Sequence, residues 1–182
     1  METITDVADI ITKAQQCKLI PGHGCVNAAK NIRIELKGAF PSTKFSVRSE
    51  SFSMGNAIRI HWTDGPTIEA VEAISDKYSA GSFDGMTDCY NYSRSVWAET
   101  YGSAKYITTE RTISDAFRAE IIDAAAKQYG DKDKPTAEQW RNGQAYNVSP
   151  FTGEWTRHWC WQDLLYRCSV KSSPGNVVVV DC

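Results

Sequence analysis

In this 182-residue chain, metal and thiol chemistry would fall first to cysteine and histidine. His23-Gly24-Cys25, with Cys17 upstream, and His158-Trp159-Cys160 share a His-x-Cys spacing. Zinc takes four such nitrogen and sulfur ligands at a closed structural site. In a strand that spacing puts both side chains on one side, whereas a helix spreads them. The chain has no Cys-x-x-Cys knuckle. The expectation is therefore that these cysteines pack in the interior and the histidines lie at the surface, with no metal and no cofactor. A thiol nucleophile at Cys25 or Cys160 needs a histidine base in an electropositive setting, and no known signature surrounds either residue.

Asp84 and Asp88, with Asp64 nearby, resemble a carboxylate cluster of the kind that holds magnesium for phosphodiester cleavage. Local roles explain the same residues more simply: Asp64 as a helix cap, and Asp84-Gly85 as a turn. The sequence has no glycine-rich phosphate loop, no G-x-S-x-G elbow and no H-x-E deaminase signature. A chain that works by binding, without catalysis, is expected.

Binding chemistry is written in the charge pattern. The net charge of −2 argues against a general nucleic-acid coat, whose affinity rests on phosphate neutralisation. The distribution is bipolar. Residues 26–62 carry six basic side chains (Lys30, Arg33, Lys37, Lys44, Arg48, Arg59) against Glu35 and Glu50. Residues 63–100 reverse the sign: Asp64, Glu69, Glu72, Asp76, Asp84, Asp88 and Glu99 outnumber Lys77 and Arg94. The basic group can follow phosphates, with Phe52, Tyr90 or Tyr92 stacking on unpaired bases. The acidic group can imitate a phosphate track and enter a nucleic-acid channel of another protein.

The elements that position these groups follow from periodicity. Asp6 caps a first helix with Val7, Ile10, Ile11 and Ala14 at helical spacing, and Pro21-Gly22 stops it. Asn27 is read as the cap of a second helix, with Ile32, Leu36 and Phe40 on one face and Lys30, Arg33 and Lys37 on another. KFSVRS (44–49) and AIRIHW (57–62) alternate as a hairpin, with Phe45, Val47, Ile58, Ile60 and Trp62 inward. The same alternation sets Lys44, Ser46 and Arg48 beside Arg59 and His61 on the solvent side. Asp64-Gly65-Pro66 opens a third helix through Ile68, Val71, Ile74 and Tyr78. Two more strands are expected, one in SFDGMTDCYNYSRS and one in KYITTERT (105–112). A fourth helix runs from Thr112 or Ser114 through Phe117 and Ile121 to Gly130.

GDKDKP (130–135) reads as a linker. The division expected is an N-terminal helix and loop over 1–25, an α+β core over 26–131 and a Trp-rich extension over 132–182. In that extension Trp161, Leu164, Leu165 and Cys168 fall at helical spacing, and NVVVV reads as a short buried strand. Trp62 and Trp161 are expected in the core. Trp140 and Trp155, in polar surroundings, are expected as surface anchors for a partner. The fold class is α+β: an antiparallel sheet of four or five strands, helices on one side, and a small helical extension.

The run over 26–118 resembles the large polyvalent protein-associated domain 29 family. A basic amphipathic helix leads to AFPSTKFSVRSESFS, then IRIHWTDGPTIEAVEAISDKYSAGSFDGMTDCYNY, then SAKYITTERTIS; KFSVRS, W-T-D-G-P-T and S-F-D-G-M in that order carry the likeness. The resemblance implies an α+β domain of phages and conjugative elements, associated with countering host defence. It assigns no catalytic residues. A nearly free-standing form implies an anti-CRISPR or antirestriction type of inhibitor, binding a host defence nuclease or CRISPR effector. The alternative is an accessory protein that binds incoming DNA through the basic hairpin face. No long apolar run or signal-peptide pattern is present, so a cytosolic chain with reduced thiols is expected, monomeric or homodimeric.

Overall fold

The structure is a computed structural model that describes residues 17–84, 86, 89–92, 95–131, 133–147 and 160–180, with backbone alone at 82–84 and 147. The expected first helix at Asp6 lies outside these residues. The chain divides into two compact units: residues 1–63 with 68–111, and residues 64–67 with 112–182.

In the first unit, helix α1 (Gly24–Ala39) buries Cys25, Ala28, Ala29, Ile32, Leu36 and Ala39, the stripe of one helical face. Its N-cap is His23, not Asn27. Asn27 lies within the helix, and its amide donates to the carbonyls of Ile20, Gly22 and Tyr101. The fully buried Asn31 accepts from Ile20 N (2.8 Å) and donates to Ile20 O and Tyr101 O. The two amides thus satisfy backbone groups that the incoming loop leaves unpaired. Gly102, at φ 88°, approaches α1 so closely that a Cβ there would stand 2.4 Å from Gly24 O.

Strands β1 (Ser46–Phe52) and β2 (Gly55–Thr63) form the expected antiparallel hairpin, with Val47 paired to Ile60 and Arg48 to Arg59. Val47, Ile58, Ile60 and Trp62 are buried against Ile32 and Leu36 of α1, and Phe45 packs on Trp62 with ring centroids 5.6 Å apart. Each fully buried side chain of this size contributes roughly 1.5–3 kcal/mol. Helix α2 (Ile68–Ser75) and a 3-10 turn (Asp76–Tyr78) add Val71, Ile74 and Tyr78 to the same core. Beneath them Glu35, fully buried, accepts from Lys77 Nζ (2.5 Å) and Tyr78 Oη (2.7 Å).

Among the described residues, strands β3 (Gly81–Asp84) and β4 (Cys89–Tyr92) form a two-stranded sheet of their own. Helix α3 (Val96–Tyr101) follows, capped by Ser95, whose side chain accepts from Ala98 N. Strand β5 (Tyr106–Thr112) then completes a sheet in the order β1-β2-β5. It runs alongside β2 in the same direction: Lys105 N donates to Asn56 Oδ1 at one end, and Asp64 N to Thr112 O at the other. The α+β class stands. The main sheet has three strands, fewer than expected, because β3 and β4 form a separate ribbon.

The second unit is helical. Helix α4 (Asp115–Tyr129) has Ser114 as its cap and ends at Gly130, where φ is 98°, as its sequence predicts. Helix α2 begins at Ile68, four residues past Asp64, whose carboxylate accepts from Ser114 N at 2.7 Å. Helix α5 (Ala137–Arg141) opens on a Thr136–Gln139 capping box. Helix α6 (Trp161–Lys171) buries Trp161, Leu164, Leu165 and Cys168 against Phe117, Ile121 and Ala125 of α4. The units therefore divide at Thr112, not in GDKDKP, since the apolar face of α4 is covered by the tail. NVVVV forms no strand. Ser172 Oγ accepts from Val178 N (2.9 Å), Tyr129 Oη donates to Val180 O (2.6 Å), and Val177, Val179 and Val180 pack on the cluster.

Candidate functional site

The helices of the first unit cover one face of the sheet, so strand alternation decides what the other face displays. On β1 these are Ser46, Arg48, Glu50 and Phe52, and on β2 Ala57, Arg59 and His61. On β5, Tyr106, Thr108 and Glu110 share this parity and are exposed. The register fixes the rows: Ser46 opposite His61, Arg48 opposite Arg59, Glu50 opposite Ala57, Phe52 opposite Gly55. Arg59 Nη2 reaches diagonally to Glu50 Oε2 at 3.1 Å, with both side chains more than half exposed. Among the described residues Arg48 makes no ion pair, and Lys44 extends the exposed row beyond Ser46.

An aromatic cluster lies at the hairpin-turn end. Phe52 and Tyr106 stack, with centroids 6.3 Å apart and planes 16° apart, across the position of Gly55. Glycine leaves the room: a Cβ there would meet Lys105 Cδ at 2.9 Å and Phe52 Cε2 at 3.6 Å. Tyr90 meets Tyr106 edge-on at 5.9 Å, and Tyr92 meets Tyr90 at 4.8 Å. Tyr90 Oη donates to Lys105 O at 2.7 Å, which fixes the β3–β4 ribbon against the start of β5. Lys105 Nζ lies 5.1 Å and 5.3 Å from the Tyr90 and Tyr106 ring centroids, within cation–π range. The Tyr106 hydroxyl holds Lys105 above the ordinary lysine range, and burial pushes the Tyr90 phenol up. The ammonium therefore stays charged at neutral pH. Between the aromatic end and the arginines lies a concavity of about 390 Å³ with Ala57 at its floor, bordered by Phe52, Tyr106, Arg59, His61 and Glu110. A second, of about 300 Å³, lies among Arg48, Ser49, Glu50 and Arg59.

The sequence-predicted residues distribute unevenly around this face. Lys44, Arg48 and Arg59 stand together as expected, with Phe52, Tyr90 and Tyr92 near the same turn. Lys30, Arg33 and Lys37 do not join them. They are exposed on α1, which covers the opposite face of the sheet, and Arg33 is held at the β1 edge by a bond from its guanidinium to Val47 O. Of the acidic residues, Glu69, Glu72 and Asp76 fall on α2 and the turn that follows it. Asp64 is bonded to Ser114 N, Glu72 accepts from Thr109 Oγ1 at 2.8 Å, and Glu69 lies exposed in the first turn of α2. Burial, then the Glu72 charge, raises the Asp76 carboxyl above its ordinary value. Asp88 and the Asp84 side chain lie outside the described residues.

The thiols are likewise dispersed. Cys17 Sγ contacts Ile34 O at 3.8 Å and lies over Gly38, Cys25 is in the core, and His23 precedes α1. Cys160 donates to Asp163 Oδ2 at 3.2 Å, and burial raises its pKa. No three potential metal ligands gather among the described residues; His158 and Trp155 lie outside them. Trp140 is not a surface anchor: it is 4% exposed, its ring 5.0 Å from the Arg118 guanidinium. Sequence reasoning missed Tyr106, Lys105 and Glu110, although the parity of KYITTERT sets Tyr106, Thr108 and Glu110 on one side. Among the described residues no helix is long and apolar enough to cross a membrane.

Comparison with known proteins adds one finding. The model of a family described as Large polyvalent protein associated domain 29 matches residues 23–114, which span α1 through β5 and so include every residue of the open sheet face. No curated protein and no solved structure matches the chain.

Proposed function

Because the chain belongs to the Large polyvalent protein associated domain 29 family, and is thus a phage or mobile-element-associated protein, we propose that it binds single-stranded nucleic acid on its open sheet face. The observation that carries this reading is the aromatic cluster Phe52–Tyr106–Tyr90 set beside the Arg48–Arg59 row. Base–aromatic stacking contributes about 1–3 kcal/mol per base and tolerates any sequence, while cations beside it follow the phosphates. Such a surface suits an accessory protein that covers DNA as it enters a host. The net charge of −2 is compatible with this, since a local patch is enough for a short strand. Fluorescence anisotropy with labelled single-stranded and duplex oligonucleotides tests it. Binding should favour the single strand, weaken with salt and fall at least tenfold in Arg48→Glu/Arg59→Glu. Equal, weak binding to both forms that is indifferent to this substitution overturns it.

A second reading is favoured by the residue types alone: exposed aromatics and arginine are also the anchors of protein interfaces. In that case the same face, not the acidic residues, blocks a host defence nuclease or CRISPR effector, as an anti-CRISPR or antirestriction protein does. Its test is inhibition of a purified effector, with Phe52→Ala and Tyr106→Ala abolishing inhibition and no oligonucleotide binding by the parent protein.

A further inference from the structure

The concavity over Ala57 is built differently from the rest of the face. Its floor is the smallest side chain of the exposed rows: Ala57, 9% exposed, lies between larger neighbours on all three strands. One wall is the stacked pair Phe52–Tyr106. The other carries Arg59, whose guanidinium is already engaged by Glu50. On the β5 side the polar side chains are Thr108 and Glu110; Glu110 carries the charge, and no hydrogen bond or ion pair is found for it among the described residues. The volume of about 390 Å³ is at the small end of ligand sites, which run to roughly 300–1,000 Å³. An aromatic wall, a small floor and a carboxylate together accept a flat ring with N–H groups on its edge.

We propose that this concavity takes one unpaired base of the bound strand, and that Glu110 selects bases bearing an exocyclic amine. This inference rests on the single-strand reading above. A carboxylate only accepts hydrogen bonds. Guanine offers adjacent N1–H and N2–H donors, and cytosine and adenine offer their N4 and N6 amines. Thymine has one N–H flanked by two carbonyl oxygens, which a carboxylate repels. The site therefore ranks guanine first and thymine last.

The experiment uses the full chain and labelled (dT)12, alone or with one central thymidine replaced by dG, dA or dC. A single dG should tighten binding roughly tenfold over (dT)12, the scale of one charge-assisted hydrogen bond. Glu110→Gln should bring the four strands within about twofold of one another, because an amide both donates and accepts. Ala57→Ile should reduce all strands to the (dT)12 level while its thermal melt shows it folded. If it does not fold, Glu110→Gln, a surface change, decides. Equal binding of all four strands by the parent protein, or discrimination that survives Glu110→Gln, overturns the base site and leaves strand binding standing. No binding of any strand removes the underlying reading as well. Competition by free dGMP at the concentrations that bind strands makes the site one for nucleotides and overturns its assignment to a strand.

Discussion

Arg48 and Arg59 stand directly opposite each other in the β1–β2 ladder, on the face of the sheet opposite to α1. Like charges directly opposite each other in such a pair are destabilising, and the Glu50 contact to Arg59 at 3.1 Å, with both side chains more than half exposed, returns about 0–1 kcal/mol. A stability cost kept at an exposed pair fits a face that meets phosphate. Arg48→Thr should therefore raise the urea midpoint while weakening single-strand binding, and should reduce the salt slope by about 0.7, the value for one lost phosphate contact. A variant that loses both stability and binding would show instead that Arg48 supports the fold.

Within the same unit, Glu35 is held by two donors. Lys77 Nζ sits at 2.5 Å from one carboxylate oxygen and 4.4 Å from the Trp97 ring centroid, and Tyr78 Oη lies 2.7 Å from the other oxygen. Burial, followed by the Glu35 contact, drives the Tyr78 phenol above its ordinary value. Removing one partner of such a pair strands a charge. Lys77→Met should cost on the order of 3 kcal/mol in urea unfolding, and Glu35→Leu/Lys77→Met should cost less than Lys77→Met alone. Tyr78→Phe should lower stability by about 1–3 kcal/mol. Additive losses in the double variant would refute the pairing.

How much of this was legible in the sequence depended on how local the governing interaction is. The hairpin is readable because alternation alone fixes which residues face inward, and the same alternation sets Arg48 beside Arg59. Helix α4 was readable because Ser114 and Gly130 mark its ends. Asp64 was not, since its partner, Ser114 N, is fifty residues away. Nor was the basic helix, because periodicity groups Lys30, Arg33 and Lys37 on one face without saying which side of the sheet that helix covers. The same blindness set the domain boundary at the most loop-like segment, although the partners of α4 lie beyond it. Half of the candidate site was thus visible: the hairpin residues, but not Tyr106 and Glu110, which only the placement of β5 brings alongside.

Trp140 shows how polar neighbours mislead. Glu138, Gln139, Arg141 and Asn142 surround it in sequence, yet in the five-residue helix α5 it is the buried side chain, with the Arg118 guanidinium over its ring. Arg141 Nη1 meanwhile reaches Asp115 Oδ2, tying α5 to the start of α4. Trp140→Ala should destabilise the second unit by about 3–5 kcal/mol, the range for a buried aromatic, and leave oligonucleotide binding at the sheet unchanged. Fluorescence quenching by acrylamide supplies the check: Trp140→Phe should remove a protected component. Loss of only an accessible component would return Trp140 to the surface.

Asp76 gives the fold a pH dependence whose sign follows from its surroundings. Burial first, and the Glu72 charge second, raise its carboxyl above the ordinary 3.8. The native chain therefore binds more proton at this site than the unfolded chain, between that value and the raised one. Stability from the protonated form is fully present below the unfolded value and is lost as pH rises through the folded one. The side chain is exposed enough for water to screen the effect, so it should be small. Asp76→Asn abolishes the titration while keeping the shape. Its unfolding midpoint relative to the parent should rise from pH 3 to pH 7, with the gain appearing above about pH 4. A difference that is constant over that range would mean that neither burial nor Glu72 acts on this carboxylate in the folded chain.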